Sequence, residues 1–335
     1  MVAVPAPSPP QDWFIAGNWN TDAVPTATDD VGIGLGTAAT EKVQIAADIT
    51  AVARTVTLGV LTGTTYTPGA LDVTADALAI TPPTGFANPA LQVLLGSNLT
   101  ITGGGSVNVG TFTVDNFGTI NVNTDDSGAT LTAGNVHNES GGTINGGLTF
   151  ATGGTVTNAG QVSGLIFSGA TVGNGITVNG GAGNIANTGT ITGTTGVSLG
   201  DGGSVTNNPG GTISATHGPG VELANGGTLT NNAGATITGA TDGVLSDLPF
   251  SGVTGGVATA AAARTSSAAV PDSTIVNSGT ITGPTGVESD GGGSVTNNAG
   301  GIIQGTAGYG IASLVSDAGN PLPLTVVNSL ETYWR

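Results

Sequence analysis

Short runs in which apolar and polar residues alternate recur along the chain, and glycine and asparagine clusters separate them. The stretch 202–223, GGSVTNNPGGTISATHGPGVEL, contains three of these runs, SVT, TIS and GVEL. A period of two predicts short strands with one apolar face. The residues predicted to point inward are Val205, Ile213, Val221 and Leu223. Those predicted to point outward are Ser204, Thr206, Thr212, Ser214 and Glu222.

The pattern repeats around an asparagine that precedes a Gly-Thr-Ile-like motif, and most of these asparagines lie 20 to 24 residues apart. The predicted anchors are Asn116, Asn138, Asn158, Asn187, Asn208, Asn232, Asn277 and Asn298. Asparagine tolerates the left-handed backbone conformation and glycine adopts it freely, so we interpret these positions as structural corners. Stacked anchors such as Asn208, Asn232 and Asn298 are expected to form a hydrogen-bonded ladder.

A second motif, GVSL or a close variant such as GVEL, follows most anchors. One repeat therefore holds three short strands in about 22 residues. These strands are too short to be hairpin arms, and a single repeat cannot bury its apolar residues alone. The predicted fold is an all-β parallel β-helix, or β-solenoid, with three strands per rung. Each strand pairs with its equivalent in the next rung, about 4.8 Å away.

The predicted organisation is one β-helical domain with a cap and two insertions. Residues 1–11 are expected to be a disordered Pro-rich N-terminus, residues 12–40 a cap, residues 41–329 the β-helix and residues 330–335 a non-repeat tail. The cap contains Trp13 and Trp19, which would cover the open apolar end of the first rung. Loop insertions are expected at 247–273 and 316–324. Loops on a rigid scaffold often carry function, although surface loops also tolerate neutral insertions.

Composition and charge narrow the classes of function. The net charge is −17, from 21 acidic and 4 basic residues, so nucleic-acid binding and polybasic membrane binding are excluded. The chain has no cysteine, which excludes disulfides and thiolate sites. It has no apolar run long enough for a transmembrane helix, and residues 1–12 do not have the pattern of a signal peptide.

The segment DWFIAGNWNTDAVPTATDDVGIG, residues 12–34, and the repeats NxGTIxG and GGSVTNNxGG together resemble passenger domains of bacterial autotransporters (type V secretion). The resemblance covers about residues 12–328. It implies a right-handed parallel β-helix of Gram-negative origin, displayed at the cell surface for adhesion, biofilm formation or other surface interactions. It also implies an outer-membrane barrel in the full-length protein, so we interpret this chain as a truncated passenger.

Candidate catalytic residues are few. Glu222 and Glu288 occupy the same outward position of their repeats and are expected two or three rungs apart, about 10–14 Å. That separation is too large for a retaining glycosidase and marginal for an inverting one. His137 and His217 are interpreted as surface turn residues, with no carboxylate at a matching position. The GxSxG nucleophile motif does not occur. We expect no catalytic residues.

Two aspartates raise the question of calcium. Asp201 and Asp290 each precede a Gly-Gly turn, but Asn225 takes the same place in another rung. The nonapeptide of calcium-binding β-rolls does not occur, and turn chemistry accounts for Asp and Asn at these places. We therefore expect no metal site and no cofactor.

Paired outward threonines suggest a third class of function, ice binding. They occur in Thr190-Ile191-Thr192, Thr236-Ile237-Thr238 and Thr280-Ile281-Thr282. The series is interrupted by Thr143-Ile144-Asn145, Thr212-Ile213-Ser214 and Ile302-Ile303-Gln304. The preference of threonine for exposed strand positions explains the pairs more simply.

The sequence thus predicts a non-enzymatic, extracellular, surface-displayed β-helical passenger that serves as a scaffold for adhesion or biofilm formation. Its expected partners are glycans or proteins of host or bacterial surfaces, or further copies of itself. Nucleic acid and insertion of this fragment into a membrane are not expected. A polysaccharide-active β-helical enzyme and an ice-binding β-solenoid are the alternatives.

Overall fold

The structure, a computed structural model, describes most of the chain. The described residues are 2–3, 11–34, 41–46, 49–62, 65–122, 128–167, 170–171, 173–246, 272–290, 292–313 and 324–329. They divide between two compact units. Unit 1 comprises Met1–Phe150 and Gly154–Gly173, and unit 2 comprises Ala151–Gly153 and Asn174–Arg335.

Several predicted segments fall outside the described residues. These are residues 1 and 4–10 of the N-terminal segment, 35–40 of the cap, 247–271 and 316–323 of the two loops, and the tail 330–335. Inside the described part, three boundaries need correction. Val2–Ala3 form a short strand paired with Val31 and Gly32, although this segment was expected to be disordered. Ser273 and Leu324, which were assigned to loops, each begin a strand.

Unit 1 contains three parallel sheets, which we call A, B and C by the order of their strands in a repeat. Sheet A contains Val2–Ala3, Asp30–Ile33, Thr55–Leu58, Leu91–Val93, Thr113–Asn116, Asn135–Asn138 and Gly154–Asn158. Sheet B contains Gln11–Asp12, Glu41–Ile45, Gly69–Thr74, Asn98–Thr102, Thr119–Val122, Thr143–Gly146 and Gln161–Gly164. Sheet C contains Ala51–Ala53, Ala77–Ile80, Ser106–Asn108 and Thr130–Thr132.

Three smaller features complete unit 1. Strands Val60–Thr62 and Thr65–Thr67 form an antiparallel hairpin, and Ile166–Phe167 pairs antiparallel with Ala170–Thr171. Leu148–Phe150 is a further strand, and Ala16–Asn18 is a single 3₁₀ turn. Within the described residues, this turn accounts for the helical content of the chain.

Unit 2 has the same three-strand repeat. Its sheet A contains Gly183–Asn187, Gly203–Asn207, Gly227–Asn231, Ser273–Asn277, Gly293–Asn297 and Leu324–Asn328. Its sheet B contains Thr190–Gly193, Thr212–Ala215, Thr236–Thr238, Thr280–Gly283 and Ile302–Gly305. Its sheet C contains Ile176–Val178, Val197–Leu199, Val221–Leu223, Asp242–Ser246, Thr285–Ser289 and Ile311–Ala312.

The predicted parallel β-helix is therefore confirmed. Each strand of sheets A, B and C pairs in parallel with the equivalent strand one repeat later, as in Val205 with Leu229 and Ile213 with Ile237. The residues predicted to point inward are buried, and those predicted to point outward are half-buried. Because most coils place their apolar residues over those of the coil before them, the core consists largely of stacked apolar rows.

Glycine is required where sheet C turns into sheet A. Gly203 has φ +121°, and a Cβ added there would lie 2.0 Å from the carbonyl oxygen of Gly183. That distance is far below van der Waals contact with a backbone atom. The repeated Gly-Gly doublet is thus explained by close approach of neighbouring coils as well as by the left-handed conformation.

The predicted cap residues pack against each other in unit 1. Trp13 and Trp19 are buried, and their ring centroids lie 5.0 Å apart at an interplanar angle of 73°. This edge-to-face geometry is favourable for aromatic pairs. Nε1 of Trp19 donates a 2.8 Å hydrogen bond to the carbonyl of Trp13, and the amide of Trp13 donates to the carbonyl of Gln44. The tryptophans therefore tie residues 12–19 to the first strands of sheet B.

Candidate functional site

A ladder of asparagines, most of them buried, runs along the end of sheet A in each unit. In unit 1, Asn116 Nδ2 donates to Asn138 Oδ1 and Asn138 Nδ2 to Asn158 Oδ1, both at 2.7 Å. In unit 2 the same bonds, 2.8 to 3.1 Å long, join Asn187, Asn207, Asn231, Asn277, Asn297 and Asn328 in that order. Most of these amides also donate to a carbonyl at the start of sheet B, as Asn231 does to Thr280. The ladder is a structural corner between two sheets.

The structure corrects the register of this ladder by one residue at three anchors. In each Asn-Asn doublet the first residue is the ladder member, so Asn207, Asn231 and Asn297 take the places predicted for Asn208, Asn232 and Asn298. The second residues lie beside it: Asn232 Nδ2 donates to Asn208 Oδ1 at 3.3 Å, and Asn298 Nδ2 donates to Ser278 Oγ at 2.9 Å. The single anchors Asn116, Asn138, Asn158, Asn187 and Asn277 lie where they were predicted.

The candidate glutamates share one outward row of sheet C in unit 2. Glu222 pairs in register with Leu245, and Leu245 pairs with Glu288. The two positions are therefore two strand spacings apart, about 9.6 Å along the row. Ser198 Oγ donates a 2.8 Å hydrogen bond to Glu222. A leucine thus separates the two carboxyl groups, and the distance lies at the upper limit for an inverting pair.

Two buried aspartates lie near Glu288: Asp290, which the sequence raised as a calcium candidate, and Asp242, which the sequence analysis did not single out. Asp242 is 9% exposed and its carboxyl group is hydrogen-bonded to Thr241, Thr285 and Glu288. Burial raises the pKa of Asp242, and the nearby Asp290 raises it further. Asp290 is itself 8% exposed. Because Asp242 stands just before the GVLS motif, where another coil has Pro219, the repeat gave no signal that an acid there would be buried.

A buried hydroxyl cluster lies in the same coils. The inward row of sheet C runs from Leu199 and Leu223 to Ser246 and then Ser289. Ser246 Oγ donates a 2.7 Å hydrogen bond to the buried Ser273 Oγ, and Ser289 Oγ donates to a backbone carbonyl. The apolar core therefore becomes polar at the coil where the chain leaves the regular repeat after Ser246. These hydroxyls satisfy one another and the backbone, which is a structural arrangement.

His137 has a carboxylate partner, so the expectation that it has none is wrong. Asp115 pairs with His137 in register on sheet A of unit 1, and Asp115 Oδ1 lies 3.1 Å from His137 Nδ1. Asp115 directly precedes the anchor Asn116, and His137 directly precedes the anchor Asn138. Aligning the repeats on their anchors therefore places the two residues side by side. The row continues with Gln92 on one side and Thr157 on the other. The pair orients an imidazole on an outward sheet face.

The remaining candidates do not form a metal or acid–base site. His217 is exposed, and its Nδ1 lies 2.9 Å from Thr216 Oγ1. Asp201 accepts hydrogen bonds from the Gly180 amide and from Asn225. Asp290 occupies the position of Gly200, one residue before that of Asp201, so the two aspartates are not equivalent. In the described part of the chain, no group of three His, Asp or Glu side chains is arranged to hold a metal ion.

Hydroxyls form two regular rows on sheet B of unit 2. The first row is Thr190, Thr212, Thr236 and Thr280, and the second is Thr192, Ser214, Thr238 and Thr282. The two rows lie about 6.8 Å apart along each strand, and neighbouring members of one row lie about 4.8 Å apart on adjacent strands. Ser214 keeps a hydroxyl in the series, and its Oγ lies 3.2 Å from Thr192 Oγ1. The array ends where Ile302 and Gln304 follow.

An amide row lies on sheet B of unit 1. Asn121 Nδ2 donates to Asn98 Oδ1 at 3.0 Å, and Asn145 Nδ2 donates to Asn121 Oδ1 at 2.8 Å. Ser163 Oγ continues the row with a 3.0 Å bond to Asn145. These half-buried groups present uncharged donors and acceptors at a fixed spacing.

No protein family, curated protein or solved structure matches the chain. Among the residues that the structure describes, none form a helix with the length and apolar character needed to span a bilayer.

Proposed function

We propose that this chain is a non-enzymatic, surface-displayed β-helical passenger of the autotransporter type, acting outside the cell as a scaffold for adhesion or biofilm formation. The observation that carries the proposal is the repetition of uncharged polar rows on outward sheet faces. Asn98, Asn121 and Asn145 form one such row in unit 1, and the paired threonines form another in unit 2. The resemblance of residues 12–34 and of the repeats to autotransporter passengers supports the location.

The proposed mechanism is multivalent. Each outward amide or hydroxyl makes a weak contact, and many such contacts act together because the coils hold them at a fixed spacing. Glycans and proteins of host or bacterial surfaces offer matching donors and acceptors, and so does a second copy of the chain. A net charge of −17 favours neutral or basic surfaces over acidic ones.

Adhesion is tested with the chain coupled to beads at controlled density. We expect beads to be retained under flow on at least one surface among bacterial cells, matrix proteins, neutral glycans and the chain itself. Retention should rise more steeply than linearly with coupling density, because several contacts must act together. Beads carrying the heat-denatured chain are the control. Equal retention of both bead types, or retention on none of these surfaces, would contradict the proposal.

An enzymatic role has less support in the geometry. Leu245 lies between Glu222 and Glu288 in the outward row of sheet C, and Asp242 is buried. A cavity of about 290 Å³ in unit 1 is lined by Ile80, Pro82, Phe112 and neighbours with no titratable side chain. Turnover of any member of a polysaccharide panel that disappears in Glu222→Gln or Glu288→Gln, but not in the exposed control Asp272→Asn, would favour the enzyme.

Ice binding is a second candidate, because the hydroxyl rows of unit 2 continue through four consecutive coils. The interruption at Thr143-Ile144-Asn145 lies in unit 1. In unit 2, Ser214 keeps a hydroxyl group in the second row, so that row is continuous. A regular lattice of hydroxyls is a surface that can order water. Thermal hysteresis of the wild-type chain, lost in Thr238→Tyr and kept in Thr206→Tyr on sheet A, would support this candidate. Absence of hysteresis in the wild type would remove it.

A further inference from the structure

Exposed apolar side chains are grouped at the corner between sheets A and B of unit 1. Leu61 is 50% exposed, Tyr66 43%, Leu95 53% and Phe117 36%. We call these four residues the corner patch. They follow three consecutive strands of sheet A, so they come from neighbouring coils. Single exposed apolar residues are common, whereas a group of them in adjacent coils marks an interaction surface.

Hydrogen bonds between coils hold the three segments of the patch against one another. The amide of Gly69, just after the hairpin that carries Leu61 and Tyr66, donates a 3.1 Å bond to Oγ of Ser97. Ser97 belongs to the same turn as Leu95. The amide of Phe117 donates a 2.7 Å bond to the carbonyl of Val93, at the end of the strand before that turn. The patch is therefore one stretch of the corner.

The hairpin of the patch has free strand edges. Its strands, Val60–Thr62 and Thr65–Thr67, pair antiparallel with Leu61 directly opposite Tyr66. Among the described residues this sheet has two strands, so each strand pairs on one side only. A two-stranded ribbon is marginally stable, and a free edge accepts a further strand. Backbone donors and acceptors thus lie beside exposed apolar side chains.

The patch carries no charge, although the chain is strongly acidic. No acidic, basic or histidine residue occurs in the described corner segments, which are 59–62, 65–69, 94–97 and 116–118. In the next coil Glu139 takes the place of Phe117, because Asn116 pairs in register with Asn138. The net charge of the chain is −17. A partner that is apolar over the patch and basic at its ends would match this distribution.

We propose that the corner patch binds an extended protein segment with alternating apolar residues and basic flanks, which adds a strand to the hairpin. The backbone of the segment pairs with the free edge, and its apolar side chains contact the patch. A second copy of the chain would bring a further charge of −17, which opposes association, and a lipid bilayer would leave the strand edge without a partner. The inference does not depend on the polar rows of the proposed adhesive function.

The test uses the full chain and a fluorescent peptide of alternating valine and threonine with two lysines at each end. Fluorescence anisotropy should show saturable binding. Tyr66→Thr and Leu95→Ser change exposed side chains, and each should weaken binding by about tenfold, as loss of an apolar anchor does. Tyr309→Thr, at a 73% exposed residue of unit 2, is the matched control and should bind like the wild type. Circular dichroism verifies that each variant is folded.

Two altered peptides test the mode of binding. A peptide with proline at its centre lacks a backbone donor and should not bind, and a peptide with glutamate flanks should bind more weakly than the lysine peptide. Glu139→Gln should reduce the difference between the lysine and glutamate peptides. No saturable binding of the lysine peptide, equal binding of the proline peptide, or wild-type affinity in Tyr66→Thr would overturn the proposal.

Other occupants of the patch give different results. Analytical ultracentrifugation of the wild-type chain should show no dimer that Tyr66→Thr removes. Sedimentation with phosphatidylcholine vesicles should show no binding that Tyr66→Thr removes. A dimer or a vesicle complex that depends on Tyr66 would assign the patch to a second copy or to a lipid surface, and either result would overturn the proposal.

Discussion

Asn207 Nδ2 donates a 3.0 Å hydrogen bond to Oδ1 of Asn231 on the next coil, and both side chains are fully buried. The same amide also donates to the carbonyl groups of Gly211 and Thr236. One side chain therefore satisfies three acceptors at the corner between sheets A and B. Buried acceptors that lose their donor keep the full penalty of desolvation.

These hydrogen bonds predict that the two residues of the Asn207-Asn208 doublet contribute differently to stability. We expect Asn207→Ala to lower the free energy of unfolding by about 3 kcal/mol or more, because it leaves several buried acceptors without a donor. Asn208→Ala should lower it by less than about 1 kcal/mol, since that side chain is only half-buried and makes one long bond. Urea unfolding of unit 2 measures both. A larger loss for Asn208→Ala would mean that the ladder register described above is incorrect.

Two glycines with positive φ, Gly203 and Gly210, are expected to respond differently to substitution by alanine. Gly203→Ala should destabilise the chain by clearly more than Gly210→Ala, because its Cβ would meet the Gly183 carbonyl at 2.0 Å. Gly210 has φ +85° but nothing within 4 Å, so only the left-handed strain of about 1–2 kcal/mol applies. Thermal unfolding of the two variants gives the comparison. Similar melting temperatures would show that close approach of the coils does not decide this corner.

The tryptophan cap can be tested one group at a time. Trp19→Phe keeps one six-membered aromatic ring but removes the rest of the buried indole, including the N–H that donates to the Trp13 carbonyl, and we expect a loss of at least about 1–2 kcal/mol in unit 1. Trp19→Ala also removes the edge-to-face contact and should lose about 3–5 kcal/mol. Ile15→Ala, at a 54% exposed residue nearby, is the control and should change stability little. Hydrogen exchange of the first strands of sheet B reports the effect locally.

Unit 1 should lose stability in strong acid. Arg54 hydrogen-bonds Asp30 and holds the pKa of that carboxyl at about 2 in the folded chain, below its ordinary value of 3.8. This contribution is present above pH 3.8 and is lost as the pH falls through about 2. It should be modest, because Arg54 is 41% exposed and solvent screens the pair.

Local hydrogen exchange of Asp30–Ile33 and Thr55–Leu58 at pH 2 to 5 measures this response. Arg54→Gln should remove most of the acid sensitivity of these strands, and Asp30→Asn should remove it as well. If acid sensitivity persists in both variants, another group is responsible.

The fold was predictable from the sequence because burial follows the two-residue period. Val205, Ile213 and Leu223 could be placed inward from three short runs alone. The exact ladder members were less predictable, since either residue of a doublet such as Asn207-Asn208 fits the same pattern. Only the pairing between coils decides which one points inward.

The acidic contacts were the least predictable part, because they join residues from different coils outside the repeated motifs. Asp242 precedes its motif, and its contact with Glu288 depends on how the coils align after residues 247–271. The Asp115–His137 pair shows the opposite case. Both residues lie next to an anchor, so comparison of the anchors' neighbours was sufficient to find it. Contacts within the repeat are therefore accessible from sequence, whereas contacts across an insertion require the register.

The asparagine ladder of unit 2 has a direction as well as a position. From Asn187 to Asn297, every amide nitrogen donates toward the later coil and every amide oxygen accepts from the earlier one. The side-chain dipoles therefore point the same way and add, and each hydrogen bond polarises the next. The buried corner of unit 2 carries a permanent electric moment, with its positive end at Asn328. Successive carbonyl groups of a strand point alternately up and down the stack of coils, so their moments along the stack largely cancel, and the side chains supply an axial field that the backbone lacks.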